Sequence, residues 1–273
     1  MTALTPFEIE LRLLLEAIYL RFHYDFRSYS MASLRRRIKA ALDAFRCETV
    51  SALQERILHE PQSFPKLLQY LTVQVSDMFR DPSFFRVFRE RIVPELATYP
   101  SPRIWVAGSS SGEEVYSLAI ILAEEGLLAR AIIYATDINP DAITKARDGV
   151  YAFDRIETFT NNHRLSGGKG PFERYYTAAY DHVALERSLR DRVVFSDHSL
   201  ATDSVFAEVQ VVTCRNVLIY FDRALQERAV GLFRDALSRR GFLGLGSMES
   251  LQLTGHASSF EPFAPEDKWY RRL

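Results

Sequence analysis

The loop Gly108-Ser109-Ser110-Ser111-Gly112-Glu113-Glu114 combines small residues, which let a backbone approach a ligand closely, with two acids at its end. Glycine is missing from the second position of a dinucleotide fingerprint, G-x-G-x-x-G, and the lysine of a phosphate-binding loop is missing as well. Acids suit the positive end of a helix but repel a pyrophosphate. Two readings stay open from the loop alone: a tight turn that starts a helix, or a site for a ligand carrying a cation. Asp137 closes the next apolar stretch. An acid there either belongs to the turn Asp137-Ile138-Asn139-Pro140 or accepts hydrogen bonds from ribose hydroxyls. The run Cys214-Arg215-Asn216-Val217-Leu218-Ile219-Tyr220-Phe221-Asp222 sets an Arg-Asn pair directly after a strongly apolar segment, an unusual composition for packing alone. Within it Cys214 reads as a small buried hydrophobe and Phe221 as core. No metal site is assigned.

Elements that could position these residues alternate from Arg103 onward. Arg103–Ala107 is a short apolar strand, Glu113–Glu125 a helix and Ala131–Thr136 the next strand. Asn139 and Pro140 cap a helix that runs to about Arg147. Arg192–Phe195 and Val209–Cys214 are strands, followed by a long helix from Arg223 to about Arg239 and closing strands at Gly241–Gly246 and Trp269–Arg272. The alternation predicts an α/β, Rossmann-like fold: an open, largely parallel sheet with helices on both faces, and ligands beyond the carboxyl ends of its strands. Residues 150–191, with Gly167-Gly168-Lys169-Gly170 and several tyrosines, read as a small insertion.

Ahead of this unit, residues 1–75 read as a small all-helical N-terminal domain. Phe7, Leu11, Leu14, Leu15 and Ile18 recur at helical spacing, and Leu34, Ile38, Leu42 and Phe45 form a second stripe. The face opposite that second stripe is expected to carry Arg35, Arg36, Arg37 and Lys39. Shorter helices follow at Ser51–Leu58 and Pro65–Leu71. Residues 76–100 form a joint, in which Asp81 is expected to cap a helix whose first residue is Pro82; residues 101–273 form the second domain.

Composition narrows the function classes. Of 273 residues, 47% are hydrophobic and 25% charged, which is ordinary for a soluble globular protein. A net charge of −1 argues against a nucleic-acid partner by bulk charge. Two cysteines, Cys47 and Cys214, make no disulfide framework and suit a reducing cytoplasm. No apolar run reaches the roughly 18 residues of a membrane span, so no direct membrane insertion is expected. Acids at Glu8 and Glu10 with no basic lead-in do not suit a signal peptide.

Four segments in order bring a family into view: Leu34-Arg35-Arg36-Arg37-Ile38, Val75-Ser76-Asp77-Met78-Phe79-Arg80-Asp81-Pro82, Gly112-Glu113-Glu114-Val115-Tyr116-Ser117, and Cys214–Phe221 with Gly246-Ser247-Met248-Glu249 beyond it. Across nearly its whole length the chain resembles the chemoreceptor glutamate methyltransferases, the CheR family. The resemblance implies a Rossmann-like S-adenosylmethionine-dependent methyltransferase sheet, S-adenosylmethionine as cofactor with S-adenosylhomocysteine as product, and the cytoplasmic helical bundle of a methyl-accepting chemotaxis protein as partner.

The resemblance also implies roles. Arg80 lies at the methyl-transfer site, with a salt bridge to Asp81 or Glu90 as its competing reading. Glu114 binds the amino-acid end of the cofactor, Asp137 the nucleoside, and Arg215, Asn216 and Tyr220 line the site. Arg80 and Tyr220 are the expected catalytic pair. Gln74 and Ser76 stand where the family commonly has asparagine and threonine, and Ser199, beside Leu200, stands where it has asparagine; with Gly108 these complete the expected cofactor contacts. Arg35, Arg36, Arg37 and Lys39 become a docking face for the acidic receptor bundle. A short insertion at about 172–192 suggests action without a receptor tether peptide. Two other functions remain open: a methyltransferase of another substrate, and a cofactor-binding scaffold without activity. The D/N-P-P-Y/F element of nucleic-acid amino-methyltransferases does not occur.

Overall fold

A computed structural model describes residues 4–252 and 254–273. Its first helix, α1 (Pro6–Phe22), starts at a reciprocal cap. Thr5 Oγ1 accepts from the Glu8 N–H, and the Glu8 carboxylate accepts from the Thr5 N–H. Helices α2 (Met31–Phe45), α3 (Val50–His59) and α4 (Phe64–Leu71) close with α1 around a core that includes Leu11, Leu15, Leu34, Ile38, Leu53 and Leu67. The apolar spacing read from the sequence therefore gives a helical unit with its own interior.

After an extended joint, α5 (Pro82–Val87) passes through a π-helical turn, Phe88–Ile92, into α6 (Val93–Leu96). The second unit then alternates. Strand β1 (Arg103–Ala107) leads to α7 (Glu113–Glu124), β2 (Ile132–Asp137) and α8 (Pro140–Asp148). The insertion holds β3 (Val150–Ala152), α9 (Ile156–Leu165), β4 (Tyr176–Ala179), β5 (His182–Leu185) and α10 (Arg187–Arg190). The main chain resumes with β6 (Val193–Asp197), β7 (Val209–Cys214), α11 (Arg223–Ala236), β8 (Leu237–Leu245), β9 (Phe260–Ala264) and β10 (Trp269–Arg272).

Seven strands form one sheet in the order β6-β2-β1-β7-β8-β10-β9, and β3-β5-β4 form a separate antiparallel sheet. β1 pairs parallel with both β2 and β7, and only β10 runs against its neighbours. The strand order reverses between β1 and β7, so the loops leaving their carboxyl ends diverge and open a crevice there. One face of the sheet packs Ile104, Val106 and Ile133 against α7; the other packs Trp105, Val212 and Leu243 against α11.

Three local expectations fail for identifiable reasons. Helix α11 ends at Ala236 rather than about Arg239, because the buried Leu237 turns extended and pairs with Val209. The strand expected from Gly241 thus starts at Leu237, and a register shift absorbs Ser238–Gly241. Asp81 does precede α5, but it sits in left-handed backbone at φ 58° and its side chain makes no capping bond; the carboxylate is taken by Arg215 instead.

The glycine-rich run of the insertion is pinned by a buried acid. Glu124, at the end of α7, accepts from Arg89, from the Tyr175 hydroxyl at 2.9 Å and from the Lys169 N–H at 2.9 Å, and meets His163 Nε2 at 2.8 Å. Burial alone would push the Glu124 carboxyl up, but bonds from His163 and Arg89 outweigh it and hold its pKa below the ordinary value. A carboxyl lowered by folding stabilises the fold above its unfolded pKa, about 4.3, and that contribution is lost as pH falls through its folded value. In urea titrations Glu124→Gln is therefore expected to be less stable than the parent at neutral pH, with the gap narrowing below about pH 4. A gap independent of pH would assign the loss to packing instead.

Candidate active site

The crevice is built from loops whose conformations the sequence dictates. At the end of β1 the N–H groups of Gly108 and Ser109 both donate to the Thr136 carbonyl at 2.8 Å, which ties the glycine loop to β2. Gly108 has φ 73°, and a Cβ there would lie 2.5 Å from Val217 Cγ2. Only glycine lets the β1 loop nest against the loop leaving β7. Gly112, at φ 93°, starts α7, where a Cβ would meet Ala146 Cβ at 2.9 Å.

Asp137 holds the turn and also faces the cavity. Its two carboxylate oxygens accept from the Ser110 and Asn139 N–H groups, each at 2.9 Å, and it also lines the cavity. Burial pushes its carboxyl up, against the bonds from the backbone of Asn139, Ser110 and Ile138.

Arg215 is the hub. Its side chain is 3% exposed and stacks 4.1 Å over the Phe84 ring. It donates to Glu114 Oε2 at 3.1 Å, to the Arg80 carbonyl at 2.8 Å and to Asp81 Oδ2 at 2.7 Å. One guanidinium thus fixes the joint, the glycine loop and the β7 loop together. The other oxygen of Glu114, Oε1, is buried without a partner among the described residues.

The β7 loop is held from beneath by Glu249, whose carboxylate accepts from the N–H groups of Gly246 at 2.6 Å, Val217 at 2.9 Å and Asn216 at 3.0 Å. This clamp keeps Asn216 in left-handed backbone at φ 60°. The joint is held by Arg155, which bonds the Ser76 carbonyl, Asp77 at 2.9 Å and the buried Glu113 at 2.7 Å. Gln74 Oε1 accepts from the Ser110 hydroxyl at 2.8 Å, closing the joint over the glycine loop.

The helical unit supplies the roof. Ser30 N–H donates to the Tyr220 carbonyl at 2.7 Å and Asp222 N–H to the Ser28 carbonyl at 2.9 Å, so that Tyr29 pairs antiparallel with Phe221. Their rings meet edge-on at 5.0 Å. Arg37 reaches in from α2, stacks 4.4 Å from the centre of the Tyr220 ring and bonds the Leu71 carbonyl.

Of the residues expected at the site, Gln74, Ser76, Arg80, Gly108, Glu114, Asp137, Leu200, Arg215, Asn216 and Tyr220 all line one cavity. Ser199 does not: its neighbours His198 and Leu200 face the cavity, while the Ser199 N–H is spent on the Asp203 carboxylate at 2.9 Å. The salt bridge considered for Arg80 is not formed; among the described residues its guanidinium pairs with neither Asp81 nor Glu90. The basic stripe also needs correction. Arg35, Arg36 and Lys39 are exposed, and Arg35 pairs with Glu8, but Arg37 is 7% exposed and belongs to the cavity. Its position three residues after Leu34 and four before Ala41 puts it on the buried face, a signal present in the sequence. Arg155 had no comparable signal, since it acts through long-range bonds to a backbone carbonyl and two acids; Glu249 stood in the Gly246–Glu249 segment of the resemblance, but without a role, because its bonds go to a distant loop's backbone.

The chemistry of this cavity is selective. A buried carboxylate oxygen without a partner suits an ammonium group, and an acid at the end of β2 suits ribose hydroxyls, which together match the amino-acid and nucleoside ends of S-adenosylmethionine. Cys214 is fully buried and its thiol is pushed well up by burial, so it is no nucleophile.

Comparison with known proteins agrees with this reading. The family model for the CheR methyltransferase, SAM binding domain, matches residues 74–265, and that for the CheR methyltransferase, all-alpha domain, matches residues 9–72. The chain is 56% identical over 272 residues to "Putative methyltransferase Cher3" of Pseudomonas putida, covering 100% of both chains. It is 31% identical to chemotaxis protein methyltransferase 1 of Vibrio cholerae, over 70% of this chain and 69% of that one. To the chemotaxis protein methyltransferase of Listeria innocua it is 27% identical, over 83% and 84% of the two chains.

Proposed function

The chain belongs to the CheR methyltransferase family, with S-adenosylmethionine as its cofactor, and we propose that it methylates glutamate side chains on the cytoplasmic helical bundle of a methyl-accepting chemotaxis protein. The observation that carries this is the cavity's charge pattern: among the described residues the guanidinium of Arg80 pairs with no carboxylate, while Glu114 of the same cavity keeps one buried oxygen without a partner. The names of the Vibrio and Listeria relatives support a chemotaxis role.

When bound, S-adenosylmethionine supplies an electrophilic methyl group on a sulfonium. In this reading Glu114 takes the amino group of the amino-acid end and Asp137 the ribose hydroxyls, with Gln74, Ser76, Asn216 and Leu200 completing the enclosure. The acceptor glutamate, with a pKa of about 4.3 in water, is already ionised at neutral pH. One of its oxygens takes the methyl carbon and the carbon–sulfur pair stays on sulfur, so no general base is needed. What the protein must do is desolvate and aim a carboxylate, a contribution on the order of 7–11 kcal/mol in favourable cases. Arg80 offers a fork for the carboxylate, and the Tyr220 hydroxyl offers a donor beside it. The exposed Arg35, Arg36 and Lys39 give α2 a basic face toward an acidic bundle.

The test is transfer of labelled methyl from S-adenosylmethionine to membranes that contain chemoreceptors. The expected product is base-labile methyl ester on glutamate. Transfer only to a small molecule would replace the acceptor in this reading, and tight cofactor binding with no transfer to protein would replace the enzyme with a scaffold.

A further inference from the structure

The outer ridge of α1 is apolar where a surface helix is normally polar. Ile9, Leu13 and Leu20 are 48%, 55% and 67% exposed. At 3.6 residues per turn these three and Glu16 fall within about 60° of arc, directly opposite the buried Leu11, Leu14, Leu15 and Ile18. A helix that packs on one face turns polar residues outward on the other. Apolar residues scattered over a surface need no explanation, but a row of them along one helix marks a contact. The helix cannot roll to bury this row, because both its flanks are tied down. Glu8 pairs with Arg35 of α2, and Glu10 accepts from the Ser51 hydroxyl of α3 at 2.6 Å. Among the described residues the cavity takes none of its lining from α1, so the row lies outside the active site.

The four-three-four spacing of Ile9, Leu13, Glu16 and Leu20 is that of a coiled-coil seam. We propose that this ridge is a self-association face, on which α1 of a second copy of this chain lies antiparallel. The charges choose both the occupant and its direction. A parallel partner would set Glu16 against Glu16 of the second copy, like charge on like charge. An antiparallel partner turns about a two-fold axis level with the midpoint between Leu13 and Glu16. Ile9 then meets Leu20 of the second copy, and Leu13 meets its Glu16. Arg12, which is exposed and in no ion pair among the described residues, reaches that same carboxylate. Glu16 also keeps Arg27 at 3.2 Å, so it does not enter the seam unpaired. Each contact occurs twice, as an isologous interface requires. The acidic receptor bundle suits this ridge poorly, since Glu16 stands in its middle and the exposed basic residues Arg35, Arg36 and Lys39 belong to α2. Pairing of this kind is independent of which acceptor the enzyme methylates.

Sedimentation equilibrium of the full chain between about 1 and about 200 μM reads the pairing. The parent is expected to pass from monomer to dimer within that range, as suits a small interface. Leu13→Lys is expected to raise the dissociation constant about tenfold or more, while S-adenosylhomocysteine affinity and melting temperature stay those of the parent. Direction is read with two further chains. Arg12→Glu alone and Glu16→Arg alone each set like charges opposite one another, and each is expected to stay monomeric. Mixed in equal amounts they are expected to pair, because opposite charges then meet on both sides of the axis. Melting temperatures of the same samples separate lost pairing from lost folding. A parent that stays monomeric at about 200 μM overturns the proposal, and so does a dimer indifferent to Leu13→Lys, which would lie on another face. Two variant chains that fail to pair when mixed overturn the antiparallel arrangement. If Leu13→Lys instead weakens binding of a receptor cytoplasmic fragment by a chain that is monomeric throughout, the ridge belongs to the receptor and the second copy is excluded.

Discussion

Arg215→Met is expected to abolish S-adenosylhomocysteine binding and to lower the melting temperature by about 10 °C. The side chain is 3% exposed and serves three segments through Glu114, Asp81 and the Arg80 carbonyl. Methionine fills similar space against Phe84, so the loss is mainly electrostatic. Removing one partner of a buried ion pair typically costs about 3–5 kcal/mol, because the other charge stays buried and unpaired. Here that charge is Glu114, whose side chain is 13% exposed; Asp81, at 43%, is rescued by water and contributes little. At about 2–4 °C per kcal/mol for a chain of this size, the expected shift follows. With Glu114 released, the free oxygen that suits an ammonium group loses its fixed direction, so cofactor affinity falls with stability. Differential scanning fluorimetry and calorimetric titration read the two effects separately. A variant that melts within about 2 °C of the parent and still binds S-adenosylhomocysteine would show that Arg215 is not the hub.

The second large effect is expected at Glu249. Its carboxylate is the acceptor for the N–H groups of Asn216, Val217 and Gly246. In Glu249→Ala these donors lose their partner in a place with little water. At about 1–3 kcal/mol for each unsatisfied buried group, and with partial relaxation, the fold should lose about 4 kcal/mol. Among the described residues the left-handed turn at Asn216 has no other side-chain acceptor, so methyl transfer should fall further than stability alone explains. Burial pushes the Glu249 carboxyl up, against the bonds from the Gly246 and Asn216 backbone. An acid raised by folding is favoured in its protonated form, so its cost grows as pH rises from the unfolded pKa to the folded one. Glu249 thus runs opposite to Glu124, and its variant should not relieve acid lability. Denaturant unfolding of Glu249→Ala and Glu249→Gln checks this; a loss below about 1 kcal/mol in the alanine variant would remove the clamp from the account of the site.

The alternation of apolar strands and helices, and the small acidic loop after the first strand, made the sheet and its crevice legible from residues alone. Burial at two periodicities is a local property, and each element carries its own. Part of the cavity wall was legible for a different reason: Asp137 ends β2, and Gly108 and Arg215 follow directly on β1 and β7, where the chain leaves the sheet at the crevice, whereas the places of Glu114 and Tyr220 rested on the family resemblance. What escaped the sequence depends on contacts distant along the chain. Arg155 reaches Asp77 and Glu113 from the insertion, and Glu249 reaches a loop more than thirty residues before it. Ser199 shows the reverse failure: one residue's difference in a turn decides which side chain faces inward, and the alternation falls to His198 and Leu200. Arg37 was read by charge when its spacing should have decided.

The short ladder between Ser28–Ser30 and Tyr220–Asp222 bears on how this chain can be divided. Along the sequence the helical unit and the sheet unit look like separable modules with a joint between them. In space, a piece of the first unit is a β-partner of the loop that carries Tyr220, and Tyr29 covers Phe221. A fragment cut at the joint would keep every strand of the sheet yet lose a wall of the cavity, exposing an aromatic ring and two unpaired backbone groups there. Shuffling these units between relatives would demand matching of this seam. The smallest functional piece of this molecule is therefore both units joined.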